Sequence, residues 1–287
     1  VSMSDSYSPT LLEGTHIVVT GGGTGLGRAM AMRFAELGAR VTINGRREEP
    51  LDTTVSDIRE AGGTAEGISC NVREVDSVTA FFDEAEERQG PVTHLVNNAA
   101  ANFLAAAEDI SPNGFDAIIK TNLYGSFYCT QTCGKRWIDR DEEGVVLSIA
   151  TTYAETGSAF VLPSAMSKAG IVAMTRSLAA EWGTANIRLN AIAPGPFPTE
   201  GAWERLVPGT DMEEQMKQRI PLRRFGEPEE LADLAVFMLS DMASYMNGEL
   251  VTFDGGEVLT AGGQFNDFTR MSRDTIKSMM EMMKPKK

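Results

Sequence analysis

The sequence predicts an α/β protein, a doubly wound sheet of about seven mostly parallel strands with helices on both faces. Three observations predict it. Short apolar, β-branched runs alternate with longer segments of helical periodicity. A glycine-rich turn stands between the first such run and the first helical segment. No internal repeat or low-complexity linker interrupts the 287 residues, so one domain is the expected count.

The elements follow in order. A strand over 15–20 feeds the turn, and a helix over 26–37 stops at Gly38. Strand 40–43 precedes helix 50–61, and strand 65–69 precedes helix 75–88. Strand 94–97 precedes a long helix over 114–137. Strand 144–149 leads to helix 164–181, strand 187–192 to helix 228–239, and strand 249–253 closes the set. With right-handed crossovers this alternation is a Rossmann sheet. Two stretches lie outside it. Residues 193–209 hold Pro194, Pro196, Pro198 and Pro208 among glycines, and open a segment to about 225 that reads as a substrate lid. The tail, 262–287, ends in Met279-Met280-Glu281-Met282-Met283. Packing on a protein surface is its expected role, with acyl-chain contact the sharper alternative.

Composition sets limits. The chain is 42% hydrophobic and 23% charged, ordinary for a soluble globular protein. Its apolar runs are too short to span a membrane. The first residues read as neither a secretory signal nor a transit peptide as they stand. The expected location is the cytoplasm, or the mitochondrial matrix for a processed eukaryotic chain. A net charge of −14 disfavours nucleic acid and anionic membranes as partners. Cys70, Cys129 and Cys133 form no framework and read as reduced structural thiols. The only histidines, His16 and His94, fall in strands, so no metal site and no Ser-His-Asp hydrolase is expected.

Thr20-Gly21-Gly22-Gly23-Thr24-Gly25-Leu26-Gly27 has the spacing G-x-x-x-G-x-G through Gly21, Gly25 and Gly27. Such glycines permit a tight turn and let backbone approach a pyrophosphate at a helix N-terminus. Strand 40–43 runs out into Asn44-Gly45-Arg46-Arg47. Two arginines there suit capture of a 2′-phosphate, so NADPH is the expected cofactor. The alternative is a solvated loop neutralised by Glu48 and Glu49.

Thr20–Gly27, Asn97-Asn98-Ala99-Ala100, Asn122, Lys168 and Pro194-Gly195-Pro196 resemble the marks of the short-chain dehydrogenase/reductase family, from about Leu11 to Gly256. That family carries Tyr-x-x-x-Lys where this chain has Ser164-Ala165-Met166-Ser167-Lys168. A serine hydroxyl is a far poorer acid than a phenol. A narrower resemblance is to 2,4-dienoyl-CoA reductases of the mitochondrial type, which lack the tyrosine at the same place. It rests on Asn98–Phe103, Tyr153–Gly157 with Ser164 and Lys168, and Gly263-Gln264-Phe265-Asn266-Asp267.

The resemblance implies roles. Tyr153 and Asn102 would bond the substrate's thioester carbonyl, with Asn122 completing the catalytic set. Lys168 would hold the nicotinamide ribose and Ser164 would support the nicotinamide end. Phe103 would line the acyl path and Arg205 would contact CoA. Gly21, Gly23, Thr24, Gly25, Leu26, Gly27, Asn71, Val72, Asn98 and Ala99 would surround the dinucleotide. Pro194, Gly195, Pro196 and Phe197 would run beside the nicotinamide. Asn71 stands where that family often has Asp, and Ala101 where it tends to have Gly. A homotetramer acting on an acyl-CoA, in an auxiliary step of unsaturated fatty acid β-oxidation, is implied in the same way. Two rival activities stay open: a carbonyl or ketoacyl reductase using Tyr153 as its acid, and a non-catalytic NADP(H)-sensing protein.

Overall fold

The structure, a computed structural model, describes residues 7–199, 210–260 and 271–282. Seven strands form one sheet: β1 (His16–Thr20), β2 (Arg40–Gly45), β3 (Thr64–Ser69), β4 (His94–Asn97), β5 (Gly144–Ile149), β6 (Ile187–Pro194) and β7 (Leu250–Phe253). Their order is β3-β2-β1-β4-β5-β6-β7, and every pair is parallel. The order reverses between β1 and β4, the crevice where folds of this kind bind ligands at the carboxyl ends of the strands.

Both faces are covered, and β1 is buried at every position. Ile17 and Val19 face one core, with Met30 and Phe34 of α1 (Gly25–Glu36) and Leu51 of α2 (Glu48–Glu60). Val18 faces the other, with Phe81 and Phe82 of α3 (Val75–Gln89). The buried Arg33–Asp233 pair, 2.8 Å, joins α1 to the helix of residues 228–239.

The helix expected over 114–137 is three pieces. Ser111 caps α4 (Pro112–Ile119) by accepting from the Gly114 N–H at 3.1 Å. One π-helical turn, Lys120–Tyr124, follows, and then α5 (Gly125–Arg140). Apolar periodicity continues through the turn, so the change of hydrogen bonding leaves no compositional mark. Beyond β5 lie α6 (Tyr153–Thr156), α7 (Leu162–Trp182), α8 (Thr210–Arg219), α9 (Pro228–Leu239), α10 (Glu257–Thr260) and α11 (Arg273–Met282). Of the expected lid, β6 takes Pro194 and α8 takes 210–219, while Arg205 and the 263–267 motif lie outside the described residues. Among the described residues no helix is long and apolar enough to cross a membrane.

Charge ties α3 to α5. Glu86 accepts from Arg136 at 2.7 Å, from Arg140 at 2.6 Å and from the Val92 N–H at 3.2 Å. Burial alone would raise this carboxyl; the bonds from Arg140, Val92 and Arg136 outweigh it and bring it down to about 2. His16 is fully buried between the Gly90 carbonyl at 2.7 Å and Thr42 Oγ1 at 2.8 Å, and its burial pushes its pKa down.

Both groups make the fold acid-sensitive. Glu86 stabilises the fold above about pH 4.5, where the unfolded carboxyl is also ionised, and that stability is lost as pH falls towards about 2. The unfolded chain protonates His16 below about pH 6.5, which the buried ring resists, so acid favours unfolding there too. The urea midpoint should therefore hold near neutrality and fall from about pH 6.5 downwards. Glu86→Gln should lower the midpoint at neutral pH and weaken the further loss between about pH 4.5 and 2. An equal acid loss in both proteins would contradict the assignment.

Candidate active site

The glycine turn sits between β1 and α1. Thr24 is the N-cap of α1 in extended conformation, with no side-chain cap bond and no acidic residue in the first turn. The first amides of α1 and its dipole are therefore open to an anion. Gly25 has φ +54°, which L side chains rarely adopt. A Cβ on Gly27 would lie 2.4 Å from Asn98 Nδ2 and from the Gly21 carbonyl oxygen, so only glycine fits. Leu26 is half-buried, and Gly23 lies against Pro50.

The loop after β4 is stitched to this turn. Thr20 Oγ1 accepts from the Asn98 N–H at 2.9 Å and the Ala99 N–H at 3.0 Å. Asn98 Nδ2 donates to the carbonyls of Thr20 at 2.9 Å and Gly21 at 3.2 Å. From β2, Asn44 accepts from the Gly21 N–H through Oδ1, yet its buried Nδ2 has no partner. A cradle that a Cβ would fill, open helix amides and an orphaned buried donor fit a dinucleotide.

Arg46 and Arg47 are exposed at the end of β2, and neither makes a hydrogen bond or ion pair among the described residues. Glu48 and Glu49 sit instead in the first turn of α2, where they complement its dipole. Asn71 bonds locally: Nδ2 donates to Glu74 at 2.5 Å and Oδ1 accepts from the Arg73 side chain at 3.3 Å. Val72 is buried against Gly125. Gly195 N–H donates to the Phe253 carbonyl at 3.0 Å and Gly226 N–H to that of Pro196 at 3.1 Å. The Phe197 ring stacks on Phe253 with centroids 6.0 Å apart. Pro194 to Phe197 thus form a braced wall next to the carboxyl ends of β6 and β7.

Across the crevice the other expected residues converge. Tyr153 opens α6, and its hydroxyl lies 3.1 Å from Ser164 Oγ on α7. Asn102 Oδ1 accepts from the Phe103 N–H at 2.9 Å, which turns Nδ2 towards the Tyr153 hydroxyl at 3.5 Å. That separation is the outer edge of a hydrogen bond. The Phe103 ring packs over Gly114 at the start of α4. Lys168 is buried one turn beyond Ser164, and its Nζ donates to the Ile149 carbonyl. Burial lowers its pKa to about 8.

Asn122 lies in the π turn, fully buried. Its Oδ1 accepts from the Ala101 N–H at 2.8 Å, and Nδ2 donates to the Ala101 carbonyl and to Ser167 Oγ, both at 3.1 Å. Ser167 in turn donates to the Ser164 carbonyl at 2.8 Å. The Asn122 amide therefore holds the loop that carries Asn102. Asn44 and Ser167 escaped the sequence reading. The only signals were a polar residue ending an apolar strand and a serine one place before Lys168. Ser148 Oγ accepts from Asn97 Nδ2 at 3.4 Å, and neither Ser148 nor Thr151 bonds to Tyr153, Ser164 or Lys168. Among the described residues no cluster could hold a metal ion.

Known proteins resemble this chain over most of its length. Residues 21–257 match the family described as Enoyl-(Acyl carrier protein) reductase. The chain is 42% identical over 230 residues to a probable 2,4-dienoyl-CoA reductase of Bacillus subtilis, covering 80% of this chain and 91% of that one. It is 44% identical over 241 residues to a probable 2,4-dienoyl-CoA reductase of Caenorhabditis elegans, covering 81% and 78%. A crystal structure of a short chain dehydrogenase from Bacillus anthracis superposes with TM-score 0.80 at 40% identity, covering 87% and 98%. Similarity extends to gluconate 5-dehydrogenases, including 32% identity to that of Gluconobacter oxydans over 80% of this chain and 89% of that one. A putative one from Beutenbergia cavernae, solved with bound NADP, superposes with TM-score 0.82 at 31% identity, covering 88% and 100%. On this fold, this glycine cradle and these relatives, the chain belongs to the short-chain dehydrogenase/reductase family of dinucleotide-dependent oxidoreductases.

Proposed function

We propose that the protein uses NADPH to reduce 2,4-dienoyl-CoA thioesters to enoyl-CoA. The observation that carries this reading is the Tyr153 hydroxyl. It stands 3.1 Å from Ser164, which takes the place of the usual family tyrosine, and 3.5 Å from the Asn102 amide. A phenol hydroxyl and a side-chain amide side by side are two donors that suit an oxygen that gains charge, and dienoyl-CoA reductases stand among the relatives.

A bound reduced dinucleotide supplies a hydride, delivered to the δ-carbon of the diene. Charge then moves through the conjugated system to the thioester oxygen. Tyr153 O–H and Asn102 Nδ2 donate to that oxygen. Ser164 Oγ donates to the Tyr153 oxygen, which leaves the phenol proton free for the substrate. Lys168 holds the nicotinamide ribose, and its buried ammonium lies one helical turn from Ser164. A proton from water then bonds to carbon C2 or C4 of the dienolate, giving the 3-enoyl or the 2-enoyl thioester. No acid is needed at position 164, because the substrate oxygen is not the final proton acceptor.

One rival has an observation behind it. A phenol in the site, with gluconate dehydrogenases among the relatives, suits a carbonyl reductase with Tyr153 as acid. Oxidation of NADPH with a dienoyl-CoA, a monoenoyl-CoA and a ketoacyl-CoA side by side separates the readings. Turnover of the dienoyl-CoA alone supports this proposal. Ketoacyl-CoA turnover without dienoyl-CoA turnover contradicts it, and tight NADPH binding without any turnover points to a sensor.

Arg46 and Arg47 should set cofactor choice. A charge-assisted bond to a 2′-phosphate contributes roughly 1.5–3 kcal/mol. Arg46→Ala should weaken NADPH binding by about tenfold or more and leave NADH nearly unchanged. Equal losses for both would overturn the assignment.

Tyr153→Phe removes the hydroxyl and keeps the ring. Transition-state stabilisation should fall by about 2.7–4 kcal/mol, a rate loss of about 10² to 10³, with NADPH affinity almost unchanged. Asn102→Ala should cost a similar amount, and the two losses need not add because the donors share one oxygen. Near-normal turnover in Tyr153→Phe would contradict this reading and would equally exclude a carbonyl reductase that uses Tyr153 as its acid.

A further inference from the structure

Asn44 ends the buried part of β2 directly beside the glycine turn. It pairs with Thr20 of β1 on one side and Ile68 of β3 on the other. It is 1% exposed. Its Oδ1 accepts from the Gly21 N–H at 3.2 Å, and its main-chain carbonyl accepts from the Gly22 N–H at 3.1 Å. One residue thus fixes the first two glycines of the turn.

Its Nδ2 is different. That atom is buried and donates to nothing. Exchanging the amide's oxygen and nitrogen does not remove the problem, because it would set an NH2 against the Gly21 N–H. The carbonyls of Thr20 and Gly21 accept from Asn98 Nδ2, and neither accepts from Asn44 Nδ2. A buried donor without an acceptor is costly. Holding Gly21 alone would need only an acceptor side chain.

We propose that Asn44 is a positioning residue for the dinucleotide, with its unpartnered Nδ2 completed by an acceptor on the adenosine-diphosphate half of the bound cofactor. The side of the fold selects that half. Asn44 lies on β2, two residues before Arg46, whereas Tyr153, Ser164 and Lys168 lie beyond β5. The inference rests on the dinucleotide cofactor of the family, and is independent of the acyl-CoA reading.

The test uses the full chain and two readouts. Asn44→Ser keeps a hydroxyl acceptor near Gly21 and deletes the donor. Equilibrium titration should show NADPH and adenosine 2′,5′-bisphosphate both binding about tenfold more weakly. The melting temperature without ligand should stay level or rise. Unchanged affinity for both ligands overturns the proposal, as does an affinity loss that merely follows a large drop in ligand-free stability. The second readout needs no stable variant. In the 15N-labelled wild-type protein, saturating NADP+ should shift the Asn44 side-chain amide resonance and slow its hydrogen exchange. An unmoved, fast-exchanging resonance overturns the proposal. Wild-type protein that binds neither NADPH nor NADP+ would overturn the cofactor assignment as well, whereas normal wild-type binding with an unaffected variant overturns only the role of Asn44.

Discussion

The side-chain amide of Asn122 is the tie that joins the loop after β4 to α7, on which the arrangement of Asn102, Ser164 and Tyr153 depends. It is buried at the π turn, and every one of its bonds leads away from its own helix: two to Ala101 and one to Ser167. The Ala101 bonds fix the loop after β4, which carries Asn102. The Ser167 bond reaches α7, where Ser167 holds the Ser164 carbonyl. Ser164 then meets the Tyr153 hydroxyl from the loop after β5. Segments far apart in sequence are brought to one point through a single amide. An unbroken helix over the same residues would carry Asn122 in a different register.

The cofactor half is built differently. Backbone forms most of it, as a cradle that only glycine fits at Gly27 and the uncapped start of α1. This resolves a difficulty set by the charge of the chain. A net −14 repels a polyanion at long range, so attraction must be local. Open amides and a helix dipole at the start of α1 are local attractions of that kind, and under the proposed function Arg46 and Arg47, without side-chain partners among the described residues, would add to them within a Debye length of about 8–10 Å. Lys168 adds a cation on the reaction side, where burial brings its pKa to about 8.

Much of this was legible in the sequence because its cause was local. The central strands were readable because burial on both faces selects short apolar, β-branched runs, such as Ile17-Val18-Val19 in β1. The glycine turn was readable because a positive φ at Gly25 and the close approach at Gly27 exclude other residues. The substitution at Ser164 was readable against the family pattern. What was not legible depends on partners distant in the chain. The π turn alters hydrogen bonding without altering periodicity, so 114–137 read as one helix. Ser167 and Asn44 are ordinary polar residues until the fold sets them against Asn122 and Gly21. The local bonds of the Asn71 side chain to Glu74 and Arg73 were likewise not legible.

The central claim is that hydride goes to carbon at the far end of a conjugated thioester, while Tyr153 and Asn102 hold the oxygen. The most direct measurement follows the label from NADPH carrying deuterium at the transferable position, with a 2,4-dienoyl-CoA and a 3-ketoacyl-CoA offered together in ordinary water. The account predicts one deuterium at the δ-carbon of an enoyl-CoA product, a solvent hydrogen at C2 or C4, and an unlabelled ketoacyl-CoA. Deuterium on the carbinol carbon of a hydroxyacyl-CoA, with the dienoyl-CoA untouched, would contradict it.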